Sequence, residues 1–87
     1  MTVAEARVAV KVNAIVRHNR LGVSGYVYSL SWVHLKGEDP YLSVGVHDLH
    51  ANSVFSGKPQ ELTVEKWNVP DFVADEWIRK EEAKAET

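Results

Sequence analysis

The sequence predicts an α+β fold, an antiparallel β-meander of three to four strands packed on one face by a C-terminal α-helix. Two observations lead there. The stretch from Gly25 to Asp48 alternates bulky apolar with small polar residues in two arms around Lys36-Gly37-Glu38-Asp39-Pro40, which is the period of a half-buried strand interrupted by turn chemistry. Further on, Phe72, Val73, Trp77 and Ile78 follow Pro70-Asp71 at helical spacing, with proline and acid suited to a first helical turn.

Taken in order, residues 2–6 have capping-box spacing, with Thr2 as N-cap and Glu5 at the third helical position. A short helical turn can form there. Val8, Val10, Val12 and Val16 then alternate with Arg7, Lys11 and Arg17, and β-branched side chains favour a pleated surface. Residues 7–17 therefore read as the first strand. His18-Asn19-Arg20-Leu21-Gly22 reads as a turn, residues 24–35 as the second strand and residues 41–48 as the third. The parity of the apolar residues sets Trp32 opposite Val44, Leu30 opposite Val46, and Val16 opposite Tyr26. Ser53-Val54-Phe55 reads as a short extended piece, Ser56-Gly57-Lys58-Pro59 as a turn, and Glu61–Trp67 as a weaker fourth strand. From Arg79 the chain is RKEEAKAET, a charged tail expected to fray.

Composition bounds the rest. The chain has 87 residues and no cysteine, which fits one domain spanning residues 1–87 and removes disulfides, zinc–thiolate sites and cysteine nucleophiles. The N-terminus carries Glu5 within its first residues and lacks the apolar run of a secretory leader. No apolar stretch approaches a membrane span. A soluble chain in a reducing cytoplasm is the expectation. Charge is uneven. Residues 1–37 hold five bases and one acid, and residues 38–87 five bases and eleven acids, a pattern that solvated faces produce without any ligand.

Three groups of residues compete for function. His47, Asp48 and His50 suggest a metal site or an acid–base pair, but on a strand the two imidazoles point to opposite faces, and no distant ligand set completes a known spacing. The small-enzyme reading rests on those residues alone, since no nucleophile elbow or phosphate-binding glycine pattern occurs. Tyr26, Tyr28 and Trp32 in one row, with Arg17 and Arg20 at the adjacent turn, would make a base-stacking platform for single-stranded nucleic acid. The same row shares its face with Leu30, Val44 and Val46, so a hydrophobic core accounts for it more simply. The third group is the opposite sheet face, with Val27, Val33, Leu35 and Tyr41 around Ser29, Ser31 and Ser43. Apolar groups among small polar ones suit a protein interface. The expected function is thus a non-catalytic interaction module, a regulator or inhibitor of a protein partner. It would act through that face as a homodimer or hetero-complex, with no cofactor.

Overall fold

The computed structural model describes residues 1–85. The elements are α1 (Val3–Val12), β1 (Ile15–His18), β2 (Ser24–Val33), β3 (Tyr41–Asp48), β4 (Val54–Gly57), a 3-10 turn (Pro59–Glu61), β5 (Leu62–Lys66) and α2 (Asp71–Ala85). The strands form one antiparallel sheet in the order β4-β3-β2-β1-β5. The α+β class and the antiparallel sheet are as the sequence predicts, with five strands. Among the described residues, no helix is long and apolar enough to cross a membrane.

The N-terminal segment is the main departure. The helical turn expected at residues 2–6 extends through residues 7–12, where a strand is expected, and only Ile15–His18 is extended. The Thr2–Glu5 capping box closes in both directions, Thr2 N–H donating to Glu5 Oε1 at 2.8 Å and Glu5 N–H to Thr2 Oγ1 at 3.1 Å. Asn13 takes a left-handed conformation that ends the helix. Alternating valines satisfy a helix as well as a strand here, because Val8 and Val12 are also i,i+4 neighbours. Ala6 and Ala9, one helical turn apart, lie buried in the sheet core. Their small side chains let the helix sit close to Val16, Val27, Val44 and Val46. The Met1 ammonium donates to the carbonyls of Pro59 at 2.8 Å and Leu62 at 2.9 Å, tying the start of α1 to the turn before β5.

The sheet is strongly curled. β4 and β1 are three strand spacings apart, about 14 Å if the sheet were flat, yet the rings of His18 and Phe55 lie 6.2 Å apart edge-on. At the same end, Gly57 approaches His18 so closely that a Cβ there would lie 3.3 Å from the imidazole Cδ2. The concave side therefore holds the core, and the convex side faces outward. His18 is buried on the concave side. Its Nδ1 accepts from Leu21 N–H at 3.2 Å, which leaves the proton on Nε2, directed toward Glu61 Oε2 at 3.9 Å.

The helical layer, α1 with α2 beside it, covers one face of the sheet. α2 turns inward Ala74 and Glu81, which are buried, with Trp77 and Ile78 half-buried between them. Phe72, expected in this stripe, is 73% exposed. Arg79 onward was expected to fray, but the helix continues to Ala85, and positions 86 and 87 of that tail lie outside the described residues. The cause is Glu81. Its carboxylate sits between Lys11 at 3.0 Å, Arg7 at 3.7 Å and Lys84 at 3.5 Å. The hydrogen bond from Lys11 is the main influence holding the carboxyl below its ordinary value, with the charges of Lys11 and Lys84 adding to it and burial opposing them. A depressed folded-state value stabilises the fold at pH above the ordinary carboxylate range and is lost as pH falls through the depressed value. Acidification is therefore expected to lower the urea midpoint of the wild type more than that of Glu81→Gln, and equal acid slopes would remove Glu81 as the titrating tether.

Candidate functional site

The outward face of the sheet is set by register. On β3, Leu42, Val44 and Val46 point into the core, so Tyr41, Ser43, Gly45 and His47 point out. Cross-strand partners share a face. The pairs Val33↔Tyr41, Ser31↔Ser43, Ser29↔Gly45 and Tyr26↔His47 are thus outward, and the pairs Trp32↔Leu42, Leu30↔Val44 and Val27↔Val46 inward. Between Val27 and Ser29 the register shifts, and Tyr28 is the extra residue of a β-bulge.

That bulge rearranges the predicted faces. Trp32 and Leu30 share the core face with Leu42, Val44 and Val46, as parity requires, although Trp32 pairs with Leu42, two residues from the expected Val44. Before the bulge the assignment inverts. Val27, expected outward as an interface residue, has 0% exposure in the core, whereas Tyr26 and Tyr28, expected inward, lie outside. On the β1 side the partner of Tyr26 is Ile15, not Val16, which slips the register by one and puts Val16 in the core. Ser29, Ser31, Val33, Tyr41 and Ser43 do come together on the outward face. Leu35 lies past the end of β2, in the turn, 48% exposed.

Tyr26 and Tyr28, read from the sequence as part of the inward row, join the outward face, and His47 lies there beside Tyr41, Ser43 and Gly45 as alternation requires. The rings of Tyr26 and His47 stack at 5.1 Å, 18° from parallel. The Tyr28 ring lies over Gly45, where an added Cβ would be 3.2 Å from two of its carbons. Glycine at 45 leaves the space that this ring fills. The signal was present, since Gly45 is the smallest residue in an otherwise bulky strand, and such a gap invites an aromatic neighbour. Charge gathers at the margins. The Lys58 ammonium stands 4.7 Å from the Tyr41 ring centroid, and at the start of β2 the Ser24 hydroxyl donates to Glu65 of β5.

The other two candidate groups are dispersed. The aromatic row divides between faces: Tyr26 and Tyr28 are outward, and Trp32 is on the opposite side, 51% exposed beyond the helical layer. Arg17 pairs with Ser24 on the outward side, while Arg20 lies in the exposed turn after β1. Asp48 uses its carboxylate locally, accepting from His50 N–H at 2.7 Å and Ala51 N–H at 3.2 Å. This turns the chain after β3, while His47 remains against Tyr26. Among the described residues, no three His, Asp or Glu side chains are placed to share a metal ion.

What the outward face offers is contact chemistry. Tyrosine supplies rigid amphipathic area at low entropic cost, and serine supplies adaptable hydrogen bonding. No protein-family model, curated protein or solved structure matches this chain.

Proposed function

We propose that this chain is a small non-catalytic protein-interaction module that docks a protein partner on the outward face of its sheet, as a regulator or inhibitor of that partner. One observation carries the reading. None of the outward positions on β2, β3 and β4 bears a formal charge, in a chain whose residues are 25% charged. A face kept only for solvation has no need to exclude lysine and glutamate. The centre of a protein interface does, because each charge buried there must be desolvated. Three tyrosines lie on this face, at its two ends, and aromatic enrichment in an uncharged patch is what supports the docking reading.

Ser31→Arg tests it. Ser31 is outward and exposed on β2, so the substitution is expected to leave the thermal midpoint within a few degrees while placing a cation in the patch. Wild-type and Ser31→Arg chains used as baits in a lysate of the native host should differ, with a protein retained by the first and lost by the second. Identical captures by the two baits would remove this face from consideration.

A further inference from the structure

Apart from the outward face, we infer that the free edge of β5 is a second docking site, which pairs main chain to main chain with a short extended segment rich in lysine or arginine. Hydrogen-bond direction defines the edge. Asn19 N–H donates to the Glu61 carbonyl at 2.9 Å, so Glu61 and, two residues on, Thr63 turn their main-chain groups toward β1. Those of Leu62 and Val64 turn away from it. The Leu62 carbonyl is taken by the Met1 ammonium, and its N–H by the Pro59 carbonyl. Among the described residues, β1 is the one strand neighbour of β5, so Val64 keeps both its N–H and its C=O open. An edge of this kind is a template for one more strand.

The space beside that edge suits such a segment. A groove of about 800 Å³ runs between the end of β5 and the first turns of α2, with Trp67 and Pro70 on its lining, and clefts that bury a ligand measure roughly 300–1,000 Å³. Asn68 closes one end. At a φ of 63° it turns the chain toward α2, and its side-chain amide donates to the Asn13 carbonyl. Because α2 forms the far wall, a strand added here cannot recruit another. Charge selects the occupant. Asp71 and Asp75, one helical turn apart on the lining, have no ion pair or hydrogen bond among the described residues. Glu65 adds a third carboxylate, turned to Ser24, and Lys66 is the one base on the lining. Side chains of an added strand alternate between its two sides, so a cation at every second position meets the aspartates from the side that faces α2. An acidic strand would be repelled there.

The probe is a short end-capped peptide in which lysine alternates with valine, titrated into the isotope-labelled full chain. Hydrogen exchange at the Val64 amide should slow on saturation, and the shifted resonances should follow β5 and the first turn of α2. A lysine–proline peptide of equal charge lacks half the N–H donors and should bind about tenfold more weakly. Asp71→Asn combined with Asp75→Asn should weaken the lysine–valine peptide about fivefold at an unchanged thermal midpoint, and a glutamate–valine peptide should not bind. Unchanged exchange at Val64, or equal affinity for the lysine–proline peptide, would overturn strand addition. Full affinity in the double variant would overturn the basic occupant. Ser31→Arg should bind the peptide as the wild type does, so this edge and the outward face stand or fall separately.

Discussion

Gly25→Ala is expected to cost about 3 kcal/mol or more, enough to unfold much of the population of a chain this small. Nothing in the torsion angles at Gly25 demands glycine. The demand is for space. A Cβ built there would collide with the carbonyl oxygen of His47 and lie 2.7 Å from both its carbonyl carbon and Val46 Cγ1. These are main-chain and core atoms of β3, and they cannot rotate away. Gly45→Ala makes the instructive comparison. Its Cβ would meet the Ser29 hydroxyl and the Tyr28 ring, both ends of side chains that can swing outward, so a loss nearer about 1 kcal/mol is expected. Urea unfolding followed by tryptophan fluorescence would rank the two. If Gly25→Ala matched the wild type, the close approach of β2 to β3 at that end would be wrong.

Val27→Asp carries the other large effect, a loss of about 4 kcal/mol or more, because it places a carboxylate in the apolar cluster with Val16, Val46 and the alanines of α1. Val33→Asp, six residues along the same strand, should change stability by about 1 kcal/mol at most while disturbing association through the outward face. Simple alternation along β2 puts both valines on one face, and the bulge at Tyr28 separates them. Circular dichroism on the two variants decides between these arrangements, since comparable damage from both would mean that the bulge is absent.

The same bulge marks how far the sequence was legible. β3 was readable to the residue, because Pro40 and clean alternation define it on their own. α2 began where Pro70 and Asp71 said it would, and its length went unseen because the tether at Glu81 is made by Arg7 and Lys11 from the far end of the chain. The helix at α1 had its local sign, the Thr2–Glu5 box, but four alternating valines fit both periods and only tertiary packing chose between them. Of the proposed face, Ser29, Ser31, Val33, Tyr41 and Ser43 were found from alternation alone. Val27 was assigned to it, and Tyr26 and Tyr28 were left off it, because a bulge is a property of two strands together and β2 read by itself keeps its period.

The curl of the sheet has a bearing on colloidal behaviour. An open sheet exposes two rows of unsatisfied main-chain groups, and those rows are where fibrils recruit new chains. Here both margins are short, Val54–Gly57 on one side and Leu62–Lys66 on the other, and the bend carries the end of the first against Leu62 at the start of the second. Little flat template is left for templated growth, so concentrated solutions of the protein should stay clear and free of thioflavin-positive material.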